Sequence, residues 1–345
     1  MTEVQSRLLR QWVLSFPYQL RFLFTSRPAI MGRVLSIVYR TIATHLIKVA
    51  LAHPCARGIR APMHINAGLT KKTARTGAVI LVQRFGSALN LNIHFHMLFL
   101  DGVYADHPDG AAQFRWVKAP TGHDLTKLAH TIAQRIGRFL ERQGLLERDA
   151  ENSYLAGDAE DDGLLNQLLE HSITYRIAVG PQQGCKVFTL QTLPACDPGD
   201  QFGDTPGKVA GFSLHAGVAT KAHERSKLER LCRYISRPTI SEKRLSLTRG
   251  GNVRYQLKTP YCDGTTHVIF EPLDFIARLA ALVPRPRVNL TRFHGVFAPN
   301  SKHRALVTPA KRGKGNKSQA HNETEERTPV ERFAGNPTHQ CASLI

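Results

Sequence analysis

The sequence predicts an α+β protein in which helices flank a central antiparallel sheet. Short apolar runs separated by brief breaks lie near the middle of the chain and indicate neighbouring strands. Segments with helical spacing of apolar residues lie between and after these runs. The 345 residues, 42% of them hydrophobic, are enough to bury a substantial core.

The first 60 residues are expected to form a helical, basic segment (residues 1–60) in which aromatic side chains are interleaved with arginines. Its most apolar part runs from Ala29 to Ala52. A membrane span needs about 18 or more consecutive apolar residues, but this run is interrupted by Arg33, Arg40, His45 and Lys48. The pattern therefore predicts an amphipathic helix, and we expect no membrane partner.

Two adjacent strands are predicted in the first third of the chain. Thr76–Phe85 and Leu89–Leu100 are strongly apolar runs separated by a break at Gly86-Ser87. Asp101-Gly102 is a turn signal, and Phe114–Val117 is the expected next strand. Strands so close in sequence favour an antiparallel meander.

The second half of the chain alternates predicted helices with predicted strands. The acidic stretch 158–162 is expected to be a loop, and residues 180–210 a loosely structured insert. Residues 307–345 are expected to be a basic, disordered tail. Helices are predicted at His123–Leu146, Gly163–Tyr175, Lys221–Ile235 and Leu273–Leu282, and strands at Phe212–Val218, Arg244–Leu247, Val253–Leu257 and His267–Phe270.

The charge balance indicates a polyanionic partner. There are 46 Lys and Arg residues against 27 Asp and Glu, a formal net charge of +19. Nucleic acid and anionic membrane are the two common explanations of such an excess. Because no membrane span is predicted, nucleic acid is preferred. The six cysteines are scattered with no Cys-x-x-Cys pair, which argues against a zinc ribbon or a disulfide framework and favours a reducing cytoplasm.

The pair His94 and His96 lies inside the second predicted strand. Residues i and i+2 of a strand point to the same face, so both imidazoles project side by side from an apolar element. Neutral histidines in this arrangement can bind a divalent metal, which can polarise a phosphate. Two ordinary core histidines would give the same spacing, and the pattern alone leaves both interpretations open.

Tyr234 is the candidate nucleophile for such phosphate chemistry. It lies near the end of a predicted helix, with Arg230, Arg233 and Arg237 around it. Arginines there could bind phosphates and favour the phenolate. An amphipathic helix with a solvated basic face is the alternative.

A basic and aromatic segment near the end of the ordered region is a candidate DNA contact. It contains Arg292, His294, Lys302 and Arg304 among turn-forming and aromatic residues, and it could grip a DNA backbone and stack on bases. An ordinary strand end would show the same composition. His215 lies on a strand of its own and is expected to be structural rather than a third metal ligand.

Three motifs in this order resemble the rolling-circle transposases of the insertion sequence 91 family, including the common-region (ISCR) elements. They are Gln83–His96, Arg233–Pro238 and Arg292–Asn300, and the resemblance runs from about Gln11 to about Lys317. The nuclease of this family belongs to the HUH superfamily, named for its His-hydrophobic-His motif. The resemblance implies an HUH-endonuclease-like core, here residues 61–306, with the histidine pair on a central strand and the tyrosine on a nearby helix.

The same resemblance implies a chemistry. His94 and His96 would bind Mg²⁺ or Mn²⁺, and Tyr234 would attack a scissile phosphate in single-stranded DNA at transposon ends and target. The products would be a 5′-phosphotyrosine and a free 3′-OH able to prime replication. A transposase of this type is expected in the bacterial cytoplasm, associated with the nucleoid.

Two features depart from the family pattern. Many members carry a second tyrosine four residues before the first, and this chain has Arg230 there. Members usually begin with a cysteine-rich zinc module, whereas this chain starts close to the later motif Arg10–Tyr18, so an amino-terminally shortened copy or an alternative start is expected.

Two alternative functions and one ligand stay open at this point. A plasmid replication initiator or relaxase would share the chemistry. A decayed transposase would bind DNA without cutting it. The third metal ligand is unassigned, and Glu224, Glu229 and His223 on the predicted tyrosine helix are equal candidates.

Overall fold

The computed structural model describes residues 8–52, 70, 73–106, 112–148, 153–155, 163–192, 207–221 and 223–308. Helices and antiparallel sheets are both present in these ranges, so the predicted α+β class with a central sheet is confirmed. The helices are α1 (Tyr18–Ser26), α2 (Pro28–Ala52), α3 (Gly122–Arg142), α4 (Leu164–Ile173), α5 (Arg225–Ile235) and α6 (Pro272–Leu282).

The strands of the described ranges fall into four antiparallel sheets. The six-stranded central sheet has the order β10-β11-β1-β4-β3-β15, and a four-stranded sheet has the order β12-β13-β14-β9. The small sheets are β2-β5-β6 and β7-β8. The bounds are β1 (Leu9–Ser15), β2 (Ala74–Arg75), β3 (Gly77–Phe85), β4 (Leu91–Leu100), β5 (Gly102–Asp106), β6 (Ala112–Trp116), β7 (Leu146–Arg148), β8 (Ser153–Leu155), β9 (Phe188–Gln191), β10 (Lys208–Val209), β11 (Phe212–Thr220), β12 (Leu245–Leu247), β13 (Val253–Gln256), β14 (Thr265–Phe270) and β15 (Thr291–Gly295).

The two faces of β4 have different surroundings. Its odd-numbered side chains, from Ile93 to Phe99, pack in the main hydrophobic core against residues of α1, α2 and α3. Its even-numbered side chains project to the opposite face, because successive strand residues alternate. On that face Leu98 packs under α5, and His94 and His96 precede it. The histidines therefore lie on the face that the main core leaves uncovered.

Helix α2 is long and apolar enough to cross a membrane by length and composition. In the structure it packs on the central sheet instead. Its buried residues, at helical spacing, belong to the main core: Met31, Val34, Leu35, Val38, Ile42 and Leu46. This is the amphipathic arrangement that the interrupting charged residues predict.

Most predicted elements are present with small shifts at their ends. The strands predicted at Thr76–Phe85 and Leu89–Leu100 are β3 and β4. The helix predicted from His123 is α3, which begins with a capping box between Thr121 and Asp124. The remaining predicted helices are α4, α5 and α6, and the remaining predicted strands are β6 and β11 to β14.

The prediction that the amino-terminal segment is helical throughout is wrong for residues 9–15. These residues form β1, which lies between β4 and β11 and pairs with both. The strand is almost fully buried, and Arg10 is neutralised by Asp101 at 2.8 Å. In the sequence, a buried arginine with a distant carboxylate partner cannot be distinguished from the exposed basic residue of an amphipathic helix. This explains the error.

Two further predictions need correction. The turn expected at Asp101-Gly102 does not return the chain to the central sheet, which the chain leaves there to enter the three-stranded sheet as β5. The antiparallel pairing expected for the two strands joined at Gly86-Ser87 is confirmed, because β3 pairs with β4. The expected insert 180–210 contains β9, which pairs with β14 at the edge of the four-stranded sheet. The acidic stretch 158–162, the boundary at residue 60 and the tail from residue 309 onward lie outside the described residues.

Candidate active site

A cleft of about 710 Å³ lies on the histidine face of the central sheet. Its floor is formed by β1, β3, β4 and β11, and its walls by α5, the loop after β3 and the segment after β13. Within the described ranges its lining includes three basic side chains (Arg237, Arg244 and Lys258) and three histidines but no carboxylate. Such a lining favours a polyanion.

His94 and His96 lie side by side on this floor, with ring centroids 4.9 Å apart. Gln83 of β3 lies opposite His94 in the sheet register. Its Oε1 is 2.9 Å from Nε2 of His94 and 3.1 Å from Nε2 of His96. Its amide nitrogen donates to the backbone oxygen of Ile235 at 3.3 Å, which fixes the amide with Oε1 toward the histidines. The amide oxygen of Gln83 thus lies within hydrogen-bond distance of both histidine rings.

The outer nitrogens of the two rings have partners that orient them. Nδ1 of His94 is 2.9 Å from the backbone oxygen of Asn92, and its Nε2 is 2.9 Å from Oε1 of Gln83. Both oxygens can only accept, so the neutral ring donates to one of them and turns its lone pair toward the other. In the tautomer that donates to Asn92, Nε2 carries the lone pair. Nδ1 of His96 is 2.8 Å from the side-chain nitrogen of Gln11, which donates to it. The proton of the neutral His96 ring then lies on Nε2, which donates to Oε1 of Gln83 at 3.1 Å. Coordination of a metal through Nε2 would require the Gln11 amide to turn so that its oxygen faces Nδ1.

Both imidazoles are neutral at ordinary pH. Burial lowers the pKa of His94, aided by the charges of Arg21 and Arg237. Burial, with smaller contributions from His94 and Arg237, lowers the pKa of His96 to about 3. The neutral imidazole is the form that binds a metal ion, so the low-dielectric floor keeps the pair ready for coordination.

Helix α5 holds Tyr234 over the histidine pair. Its apolar side is anchored by Leu231 and Ile235, which pack against Leu98 of β4. Tyr234 lies beside this anchored side and projects into the cleft, 40% exposed. Its ring centroid is 6.2 Å from that of His96, with the two rings nearly perpendicular.

Arg237 is the one predicted arginine of this helix region that reaches the cleft. Its guanidinium carbon lies 4.5 Å from the centroid of the Tyr234 ring. Arg230 and Arg233 are exposed and do not line the cleft. Arg233 is bonded to Glu229 at 2.6 Å on the outer surface of α5.

The predicted DNA contacts of β15 lie on the other face of the sheet. Arg292 pairs with Ile80 and His294 with Ala78, and both partners face the helices. His294 stacks on Tyr39 of α2 with centroids 4.6 Å apart, and burial lowers its pKa to about 4. The structure therefore places neither residue in the cleft.

The two basic residues that follow β15 are also outside the cleft. Lys302 is exposed, whereas Arg304 is buried and donates to the backbone oxygen of Phe297. Arg304 also lies over the ring of Phe293 at 5.9 Å. These contacts hold the segment that follows β15 against the sheet.

None of the three candidates for the third metal ligand lines the cleft. Glu224 accepts from the backbone of Lys221, Glu229 binds Arg233, and His223 is exposed. Among the described residues no group of three His, Cys, Asp or Glu side chains could hold a metal ion. The side-chain oxygen within hydrogen-bond distance of both Nε2 atoms belongs instead to Gln83.

His215 lines the cleft but stands apart from the histidine pair. Val13 pairs with His96 on one side and with His215 on the other. The two histidines are therefore two strand spacings apart, roughly 10 Å. His215 shares a 2.8 Å hydrogen bond with Ser213, as expected of a side chain held by its own strand.

The cleft residues that the sequence does not single out include Gln83, Gln11, Arg244 and Lys258. A signal exists for Gln83, which is a polar residue directly after the apolar run Val79–Val82 and lies across a short hairpin from the histidines. Gln11 could not be found because its segment was interpreted as helical. Lys258 reaches the cleft from a separate sheet, which no local pattern indicates.

A comparison with protein families gives one match. The model of the Y2_Tnp family, described as "Putative transposase", matches residues 77–305. No curated protein and no solved structure matches the chain. The matched range contains β3, β4 and α5, which carry Gln83, the histidine pair and Tyr234.

Proposed function

The chain belongs to the Y2_Tnp transposase family, and on that premise we propose that it is a tyrosine-nucleophile nuclease and strand transferase of the HUH type. Its substrate would be single-stranded DNA at transposon ends and target, and its role rolling-circle transposition. The site of action would be the bacterial nucleoid. One observation carries the proposal: a tyrosine lies over a converging histidine pair in a cationic cleft.

The donor atoms fit a divalent cation. Two neutral imidazole nitrogens and one amide oxygen are accepted ligands of Mn²⁺ and, with added oxygen ligands, of Mg²⁺. Oε1 of Gln83 lies within 3.1 Å of both Nε2 atoms, close enough for the three atoms to be ligands of one ion. His94, His96 and Gln83 would hold the ion, and three protein ligands leave positions for phosphate oxygens. When bound, the ion supplies polarisation of the scissile phosphate.

Tyr234 would perform the covalent step. Its Oη forms a bond to phosphorus, and the bond between phosphorus and the 3′ oxygen breaks. The hydroxyl loses a proton and the departing 3′ oxygen gains one, so the overall charge is unchanged. The phosphate stays on the 5′ end of the downstream strand as a phosphotyrosine. Attack by another 3′-OH reverses the step and joins strands without ATP.

Arg237 would stabilise the charge that develops during attack. Its guanidinium lies beside the tyrosine ring and in the same cleft. Preorganised cations at the point where negative charge accumulates lower the barrier more than the same groups do in water. Holding the nucleophile on a helix that packs against the sheet of the histidine pair also removes orientational freedom before the reaction.

Covalent adduct formation tests the proposal. The protein is incubated with Mn²⁺ and labelled single-stranded oligonucleotides that tile the DNA flanking its coding sequence, and the products are separated on a denaturing gel. We expect a labelled protein band that disappears in Tyr234→Phe and in His94→Ala. Tyr18→Phe is the matched control, because Tyr18 is 59% exposed and outside the cleft.

Two outcomes would contradict the proposal. An adduct that persists in Tyr234→Phe would remove this residue as the nucleophile. DNA binding without any adduct in the unaltered protein would leave a binding protein that does not cut.

A further inference from the structure

We propose that Lys258, presented by the four-stranded sheet, is a positioning residue that holds Tyr234 for attack. The inference rests on the proposed function, since it assumes that Tyr234 is the nucleophile. It assigns a role to a residue of a different sheet from the one that carries the histidines. The four-stranded sheet would then position the nucleophile.

The tyrosine ring is in contact range of two cations from different parts of the chain. The Lys258 nitrogen lies 4.7 Å from the ring centroid and the Arg237 guanidinium carbon 4.5 Å from it. Both distances are inside the roughly 6 Å range of a cation–π interaction. His96 meets the same ring at 6.2 Å. The ring is thus held by three neighbours rather than left free on an exposed helix.

The two cations constrain the ring in different ways. Arg237 follows α5 directly and moves with the helix that carries the tyrosine. Lys258 follows β13 of the four-stranded sheet. Buried residues of that sheet share a hydrophobic core cluster with Leu89 and with Leu91, the first residue of β4. Because that core is continuous with the start of the histidine strand, Lys258 ties the ring to the floor of the cleft. Removing it would free the ring relative to the phosphate.

The charge on Lys258 is available for this contact. In the part of the chain that the structure describes, Lys258 has no carboxylate partner, and no carboxylate lines the cleft. An exposed lysine with no such contact would be a solvated surface charge. Its position over the ring, at the edge of a cationic cleft, distinguishes it from the other lysines of the same sheet region, such as Lys243.

Single-turnover kinetics of adduct formation test the proposal. We expect Lys258→Ala to lower the maximal rate about fivefold or more, the scale of one lost cation–π contact, in addition to the rise in half-saturating DNA concentration that the loss of one cleft charge causes. Lys258→Arg should restore most of the rate, because a guanidinium can occupy the same place over the ring. Lys243→Ala is the matched control and should leave the rate unchanged.

The outcomes separate this inference from the function on which it rests. No adduct with the unaltered protein would overturn both. An adduct on Tyr234 whose maximal rate is the same in Lys258→Ala would overturn the role of Lys258 alone. A change confined to the half-saturating DNA concentration, or an equal loss in Lys258→Arg, would also overturn it. Thermal unfolding of each variant is measured as well, and we expect the unfolding temperature of the unaltered protein in each case.

Discussion

At the scale of single residues, Gln83 bears on whether His94 and His96 form a metal site. Two histidines on one strand face are compatible with a packed core or with a metal site. The amide oxygen of Gln83 lies within 3.1 Å of both Nε2 atoms, and its amide nitrogen is held by the backbone of Ile235. The proposed metal site would use this oxygen together with the two Nε2 atoms.

The role of Gln83 is tested by metal binding in the absence of DNA. Gln83→Ala is expected to weaken Mn²⁺ binding by about tenfold or more, the scale seen when a supporting group around a metal is lost. Gln83→Glu should bind at least as tightly as the unaltered protein, because a carboxylate is a stronger ligand for a hard cation. Titration calorimetry measures both.

Gln143→Ala is the control for this measurement, since Gln143 is exposed at the end of α3. Equal Mn²⁺ affinity in Gln83→Ala and the unaltered protein would exclude Gln83 as a ligand.

Site residues that belong to a short sequence motif could be selected from the sequence alone. His94, His96, Tyr234 and Arg237 were all predicted and lie together in the cleft. Arg230 and Arg233 were predicted by the same proximity in sequence, but helical geometry turns them to the solvent. Proximity along a helix cannot distinguish these cases until the buried side of the helix is known.

At the scale of elements, β1 and β15 show where sequence patterns failed. The arginine of β1 is paired inside the protein with Asp101, which is 91 residues away in sequence. The aromatic and basic residues of β15 alternate between the two faces of the sheet, so His294 packs on α2 and not on DNA in the cleft. Both errors concern partners distant in sequence.

The buried position of His294 predicts a pH-dependent stability. Its pKa is about 4 in the folded protein against 6.5 for the free side chain. The unfolded chain therefore takes up the proton first, and folding stability is lost as the pH falls from about 6.5 toward 4. The difference in pKa corresponds to about 3 kcal/mol at the acid limit.

Denaturant unfolding at a series of pH values between neutral and 5 measures this loss. His294→Phe keeps the stacking on Tyr39 without a titrating group, so its stability should fall less steeply with acid than that of the unaltered protein. His130→Gln, an exposed histidine of α3, serves as the control and should show the same slope as the unaltered protein. Equal slopes in all three proteins would contradict burial of His294.

At the scale of the whole molecule, the net charge of +19 and the cationic cleft point to the same partner. Composition alone left nucleic acid and anionic membrane open. Helix α2, the most membrane-like segment, packs its apolar side on the central sheet. The family match, the cleft and the charge are then consistent with one partner, DNA.

Electrostatic binding of this kind predicts a steep salt dependence. The logarithm of the binding constant for single-stranded DNA should fall by about 0.7 per tenfold rise in salt for each phosphate contacted. Fluorescence anisotropy with the Tyr234→Phe protein measures binding without cleavage. We expect a slope that corresponds to several phosphates, and a slope near zero would contradict a cationic DNA-binding cleft.

The most direct measurement of the central claim is the identification of the residue that carries the DNA. The adduct formed with Mn²⁺ is digested with protease and nuclease, and mass spectrometry locates the nucleotide on the peptide. The predicted result is a 5′-phosphate linkage on Tyr234 and on no other tyrosine. A linkage on another residue, or a 3′-phosphate linkage on Tyr234, would contradict the proposed mechanism.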